Sequence, residues 1–303
     1  MTERLGRLET EGRAAALSDL DLRPTLEIVR AVVSGHHDVL AAVEAAEPAI
    51  AALADATAAR LEAGGRVVYA GAGSAGWLAF VDATEWAPTF SVPAVALVAG
   101  AQHPAGSPAE AAAEDDAQAA ADAVRALEPR PEDVLIAVSA SGRTPYALGA
   151  LDAAGSAGAL TGAIVSSLGS ELARRAAIAV EVPVGPEVIS GSTRLKAGTA
   201  QKLVLNAFST AVMVRRGRTL GDLMTSMRVA NAKLRDRAAR ICVAATGCRE
   251  EQARAALAAA EDDISLAVVM LARGADAATA RTLLDATGGN LRRALMGTVP
   301  ISG

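Results

Sequence analysis

The sequence predicts an α/β protein: a five-stranded, parallel, doubly wound sheet with N-terminal helices and a small C-terminal all-helical domain. Three observations predict it. Short apolar runs rich in β-branched residues, the form strands take when both faces are buried, recur through the middle of the chain. Helix-length segments separate them, which implies right-handed βαβ crossovers. After the last run only helical periodicity continues.

The elements follow in order. From Pro24 to about Ala63 the apolar residues Leu26, Ile28, Val29, Val32, Val33, Leu40, Val43, Ile50, Leu53 and Leu61 keep a helical spacing, and Gly64-Gly65 closes it as a C-cap pair. The first strand is read at 66–70 (RVVYA), the others at 92–98, 133–138, 160–166 and 178–184. Helices fall near 75–86, 108–127, 144–154 and 168–176, and a long one over 194–215 closes the sheet. A helical stretch over 223–245 and three short helices near 250–260, 264–273 and 276–286 follow, punctuated by Thr246-Gly247 and Gly288-Gly289. The expected organisation is a helical arm over 1–64, a sheet domain over 65–220, and a helical connector with a small helical domain over 221–303.

Composition narrows the function classes. The 303 residues are 51% hydrophobic but include only 2 Trp, 2 Tyr and 3 Phe, so the core is built from Ala, Val and Leu in closely packed helices and strands. The net charge of −5, without a Lys/Arg run, speaks against a nucleic-acid partner. The densest basic cluster, Arg215, Arg216 and Arg218, suits a helix C-terminus. Cys242 and Cys248, and His36, His37 and His103, lack metal-ligand spacing, so no metal is expected. No stretch reaches the roughly 18 apolar residues of a membrane span, and the charged start lacks a secretory apolar core; a cytoplasmic protein is expected.

In open parallel sheets ligands bind outside the carboxyl ends of the strands. After the first strand comes Gly71-Ala72-Gly73-Ser74-Ala75-Gly76, and after the third Ser139-Ala140-Ser141-Gly142-Arg143-Thr144-Pro145. Ser166-Ser167 follow the fourth, and Ser190-Gly191-Ser192-Thr193 the fifth. Glycines and small hydroxyls converging on one sheet edge suit a phosphate: helix N-termini supply free N–H groups, and Ser and Thr donate to anionic oxygens. One such loop alone would be a helix cap; several on one edge make an anion site. The first loop also satisfies G-x-G-x-x-G, but the second strand ends Leu97-Val98-Ala99-Gly100 without the acid that would hold a ribose, which disfavours a dinucleotide.

Two Ser/Gly loops after parallel strands, the second reading Ser-x-Ser-Gly-x-Thr, resemble the SIS fold of sugar isomerases and sugar-binding regulators. The stretch Ser190–Asn206 (SGSTRLKAGTAQKLVLN) resembles the signature of the N-acetylmuramic acid 6-phosphate etherases, shared in part by the glucokinase regulatory proteins. Thr10-Glu11-Gly12-Arg13 with Asp19–Asp21, Asp82-Ala83-Thr84-Glu85 with Pro88-Thr89, Ala113-Glu114-Asp115, and Ala245-Thr246-Gly247-Cys248 match the family in order and spacing. The resemblance spans nearly the whole chain.

It implies a homodimer that needs no cofactor and removes D-lactate from carbon 3 of a phosphorylated sugar by elimination and hydration, in cell-wall sugar recycling. It makes Glu85 the candidate acid/base at the ether and the added water, and Glu114 a second acid/base. Gly73, Ser74, Ser139, Ser141, Gly142, Thr144, Ser190, Ser192 and Lys196 are the candidate substrate- and phosphate-binding residues. Lys196 and Lys202 lie on different faces of one helix, so one reaches substrate while the other pairs with a carboxylate; the motif does not choose between them. Glu110, Asp115 and Asp116 are read as surface charge. The chain departs from the family at Ala75, where a phosphate-binding Ser is usual, at Trp77 in place of Arg, and at Trp86 and Ala87. These departures keep two other readings open: an isomerase or etherase for another 6-phosphosugar, and a sugar-phosphate sensor.

Overall fold

The computed structural model describes residues 12–104 and 107–297. Five parallel strands, β1 (Val67–Gly71), β2 (Ala94–Val98), β3 (Val134–Ser139), β4 (Leu160–Val165) and β5 (Ile178–Glu181), lie in the order β2-β1-β3-β4-β5. β1 and β3 are buried along their whole length, which is why they read as unbroken apolar runs. They pair in register from Val67↔Val134 to Gly71↔Val138, so the loops that leave them start side by side. This is the switch point of the sheet, with β2 on one side of β1 and everything later on the other.

The helical stretch expected from Pro24 to Ala63 is two helices, α1 (Thr25–Gly35) and α2 (His37–Glu62). The His36 ring takes the Val32 carbonyl at 2.7 Å, the acceptor its own N–H would use to continue the helix, and that N–H turns to Val33 O instead. α3 (Gly73–Phe90) follows β1 and runs on through Pro88. A Cβ on Gly76 would lie 2.7 Å from the Gly71 carbonyl oxygen, so close packing of helix on strand requires this glycine without any ligand.

The helix expected over 108–127 is broken into α4 (Pro108–Ala112), a 3₁₀ turn (Ala113–Asp115) and α5 (Ala117–Ala126). Asp116 causes the break. Its Oδ1 accepts the Ala119 N–H at 2.8 Å, making this exposed carboxylate the N-cap of α5. α6 (Pro145–Ser156), α7 (Glu171–Arg175) and α8 (Lys196–Arg215) complete the sheet region. Val68, Ala70, Leu135, Ala137, Ala163 and Val165 from the sheet pack on Tyr146, Ala147, Ala150 and Leu151 of α6.

Beyond α8 come α9 (Ala232–Thr246), α10 (Glu250–Ala259), α11 (Ile264–Arg273), α12 (Ala277–Asp285) and α13 (Leu291–Met296). α9 starts later than periodicity suggests because Asn231 caps it, its Oδ1 accepting the Leu234 N–H at 3.0 Å. α13 is too short for a periodic signal. Compactness divides the chain into one unit of Met1–Ala83 with Ala94–Ser209 and a second of Thr84–Pro93 with Thr210–Gly303. Cys242 is buried in the second unit's core, where burial, followed by the nearby Cys248, pushes its thiol up to about 12. It is a packing residue.

At the end of the sheet opposite the loops, the buried Asp133 accepts the Arg66 backbone N–H at 3.1 Å, the Arg66 guanidinium at 3.1 Å and the Arg130 N–H at 3.0 Å. Burial works to raise this carboxyl, but those hydrogen bonds outweigh it and hold it below the ordinary carboxylate value. A depressed folded-state value contributes stability that is present above the ordinary value and lost as the pH falls through the folded one. Asp133→Asn is therefore expected to cost about 1–3 kcal/mol near neutral pH. Urea titrations of the two proteins should converge below about pH 4, where the wild type loses the same contribution.

Candidate active site

The loop after β3 is the best-defined part of the site. Ser139 Oγ accepts the Gly142 N–H at 3.1 Å and lies 2.8 Å from Thr144 Oγ1 and 3.4 Å from Ser141 Oγ. Thr144 Oγ1 in turn donates to Glu114 Oε1 at 3.0 Å. Glu114, Ser139, Ser141, Gly142 and Thr144 are thus joined in one network. Ser139 and Thr144 are buried, while Glu114, on the 3₁₀ turn between α4 and α5, is exposed. Ser167, also buried, donates to the Ala140 carbonyl at 3.3 Å and so supports the loop from β4. Burial, then the Asp116 carboxylate, pushes the adjoining Tyr146 phenol above its ordinary value, which keeps it protonated.

Gly142 has φ +63°, and a Cβ there would lie 2.1 Å from Ser170 Oγ. Its carbonyl accepts the Leu172 N–H at 2.9 Å, tying the loop to α7. Gly142→Ala is expected to destabilise the protein by about 1–3 kcal/mol through the left-handed backbone alone. Urea denaturation measures the loss, and shifts in the Ser141 and Arg143 amide resonances would place the disturbance in this loop.

The first loop opens α3. Gly73, at φ +51°, and Ser74 are exposed on its first turn, and Ala75 is buried. Trp77 Nε1 donates to Glu110 Oε1 at 3.0 Å, and the indole meets Phe80 edge-on with ring centres 5.8 Å apart. Glu110 is therefore a partner of Trp77 and not loose surface charge. Where the family resemblance expects a cation, this loop presents a neutral donor already bound to a carboxylate.

A second group forms around Glu187, which the sequence reading missed. This buried carboxylate accepts the Lys196 N–H at 2.9 Å and the Ala197 N–H at 3.0 Å, so it sits on the positive end of α8. The buried Lys196 Nζ donates to the Val184 carbonyl, and Lys196 also lines a cavity of about 520 Å³ with Arg23, Glu27, Arg30 and Asp38. Lys202 pairs with Asn206 at 2.7 Å, an amide where a carboxylate was expected. Ser190 donates to the Gly12 carbonyl at 3.2 Å, and the Ser192 N–H closes a turn onto Ile189 O at 2.9 Å. Thr10 and Glu11 of the N-terminal motif lie outside the described residues. Glu85 is exposed on α3, in the second compact unit.

A parallel sheet whose switch-point loops carry Ser, Thr and Gly beside a carboxylate defines a protein of the SIS class. The family model described as SIS domain matches residues 115–211, and that of the glucokinase regulatory protein N-terminal SIS domain matches residues 27–155. The chain shares its fold with a phosphoheptose isomerase from Francisella tularensis (TM-score 0.51, 22% identity, 63% of this chain and 100% of that one).

Sequence relatives go further. The chain is 47% identical to an N-acetylmuramic acid 6-phosphate etherase of Rubrobacter xylanophilus, over 97% of this chain and 98% of that protein. It is 45% identical to one of Streptomyces avermitilis, over 96% and 94%. The chain belongs to the N-acetylmuramic acid 6-phosphate etherase family.

Proposed function

We propose that this protein is the family's etherase in chemistry as well as in descent: it cleaves the D-lactyl ether of N-acetylmuramic acid 6-phosphate to N-acetylglucosamine 6-phosphate and D-lactate. One observation carries the reading. Glu114, a carboxylate able to exchange protons, is hydrogen-bonded into the Ser/Gly/Thr loop suited to the substrate's phosphate. Binding alone would not require a carboxylate there, since like charge opposes a phosphate.

The elimination needs two proton transfers, and the hydration needs two more in the reverse sense. Once the sugar ring opens, the aldehyde acidifies the proton on carbon 2; a base removes it as the carbon 3–oxygen bond breaks, and an acid protonates the departing lactate oxygen. Water then adds to the unsaturated aldehyde at carbon 3, and carbon 2 regains a proton. We assign the carbon 2 proton to Glu114, and the ether oxygen and added water to Glu85. Carboxylates serve both tasks when their surroundings suit the proton transfer. Gly73, Ser74, Ser139, Ser141, Gly142 and Thr144 hold the phosphate, while Ser190, Ser192 and Lys196 order the segment that meets the N-terminal arm. The test is turnover of N-acetylmuramic acid 6-phosphate in ¹⁸O-water. D-lactate with ¹⁸O at carbon 3 of the sugar product supports the reading. A folded protein that binds the sugar phosphate without turnover replaces it with the sensor reading, for which Ala75 and the Trp77–Glu110 bond are the motivating features.

A phosphorylated sugar does not cross a bilayer unaided, so we place the protein in the cytoplasm, where sugars released from the cell wall are recycled. Among the described residues no helix is long and apolar enough to cross a membrane. We also propose a homodimer. Leu26, Val29 and Val33 form a stripe along α1, with Leu22 on the 3₁₀ turn before it, each between 51% and 81% exposed, and a second copy would cover these residues. Leu26→Glu with Val33→Glu is expected to halve the mass seen by light scattering; an unchanged mass would place the contact elsewhere.

A further inference from the structure

The hydrogen bonds around Thr144 have a fixed direction. A hydroxyl carries one proton, and an ionised carboxylate only accepts. Thr144 gives its proton to Glu114 Oε1 at 3.0 Å, so the 2.8 Å contact between Thr144 and Ser139 must use the Ser139 proton. Ser139, having spent its proton, accepts from the Gly142 N–H at 3.1 Å. The relay therefore runs from the Gly142 amide through Ser139 and Thr144 to Glu114. Both buried hydroxyl protons are committed, that of Ser139 to Thr144 and that of Thr144 to the carboxylate, and the partly exposed Ser141 hydroxyl lies beside them at 3.4 Å from Ser139.

A phosphate docking on this loop competes for those protons. It carries more charge and more acceptor oxygens than a carboxylate, and buried hydroxyls give it charge-assisted hydrogen bonds. We infer that the substrate's phosphate switches Glu114 on: it draws the Thr144 proton away from Glu114, leaving that carboxylate without its donor and beside a second negative charge. Both changes favour proton uptake by Glu114. In the free protein the same carboxylate is held as the acceptor of the Thr144 hydroxyl. Thr144 is a positioning residue, acting on the reaction through Glu114. The inference rests on the reading of this loop as the phosphate cradle, and it adds that the cradle and the base share one proton.

The test separates binding from switching. Protein labelled with ¹³C at the Glu side-chain carboxyl is titrated with inorganic phosphate, the Glu114 resonance being assigned by its loss in Glu114→Gln. In the wild type this resonance should move as the Ser141 and Gly142 amides report binding. In Thr144→Val, which has no proton to share, phosphate should still shift the amides while the Glu114 response to loss of the donor disappears. Thr144→Ser keeps the hydroxyl and should restore the response, which guards against a merely misfolded Val variant. In turnover, phosphite added in trans should accelerate cleavage of unphosphorylated N-acetylmuramic acid, and Thr144→Val should reduce that acceleration by at least about tenfold, within the range of one proton-transfer group.

A Glu114 resonance that stays still while phosphate binds overturns the inference. So does a Thr144→Val enzyme that loses only KM and keeps kcat and the phosphite response. Absence of phosphate binding at the Ser141 and Gly142 amides overturns the inference and the cradle together. Absence of turnover with an intact Glu114 response removes only the etherase reading.

Discussion

Glu114→Gln is expected to lower kcat by about 10²–10⁴-fold, the range for loss of a general acid or base, with KM changed by no more than a few fold. Gln is nearly isosteric and keeps an oxygen to accept the Thr144 hydroxyl, so the network at 3.0 Å survives while the proton-transfer group is lost. The variant should unfold with the wild type, because Glu114 is exposed and its removal leaves no buried charge behind. Deuterium exchange at carbon 2 then assigns the role. In D₂O, Glu114→Gln should neither exchange that position nor release lactate. Glu85→Gln should lose lactate release to a similar degree yet still exchange carbon 2, because its proposed work begins at the ether oxygen. If Glu114→Gln exchanges carbon 2 at the wild-type rate, the two roles are reversed or the base lies elsewhere. Glu110→Gln, which keeps an oxygen for the Trp77 indole, serves as the control and should retain activity.

The parts of this molecule that were legible in sequence are those whose partners are close along the chain. β1 and β3 are buried on both faces and wrote that burial as continuous apolar runs. The Ser139–Thr144 loop could be read because its hydrogen bonds connect residues within a few positions of one another. The bond that gives the loop its carboxylate partner spans 30 positions, and neither Glu114 nor Thr144 carries a local sign of it; only the family resemblance pointed to Glu114. The Trp77–Glu110 contact spans 33 positions and turned a residue read as surface charge into part of the first loop. Glu187 was invisible for a related reason: it caps a helix from nine positions upstream, outside the short spacing of an ordinary capping box. The breaks at His36 and Asp116 escaped because apolar periodicity continues across each, while a single side chain captures the backbone group that would have extended the helix.

The largest stability effect is expected at Asp82, whose partners are also distant. Its carboxyl is buried and accepts the Tyr69 hydroxyl at 2.8 Å and the Ser209 hydroxyl at 3.0 Å. Tyr69 belongs to β1, Asp82 to α3 and Ser209 to α8, so one side chain fastens two helices to the first strand. Asp82→Ala removes the acceptor for both hydroxyls. Ser209 keeps its contact with the Leu205 carbonyl at 2.8 Å, whereas the fully buried Tyr69 hydroxyl loses this partner and a cavity opens beside it. The cost should be about 2–5 kcal/mol, combining a lost buried hydrogen bond with the cavity, and the apparent Tm should fall by about 3–8 °C. Tyr69→Phe alone should cost about 1 kcal/mol, near the net value of one hydrogen bond. The double variant then separates the contributions: if the Tyr69–Asp82 bond carries the effect, removing the Tyr hydroxyl from Asp82→Ala should restore part of the lost stability, because the buried donor that lost this acceptor is gone. Strict additivity of the two changes would mean that Asp82 acts by filling space. The same experiment bears on the site, since β1 and α3 flank the loop that presents Gly73 and Ser74. Loosening their clamp should weaken phosphate binding at temperatures where the protein is still folded, while Tyr69→Phe, with its ring still packed, should leave binding unchanged.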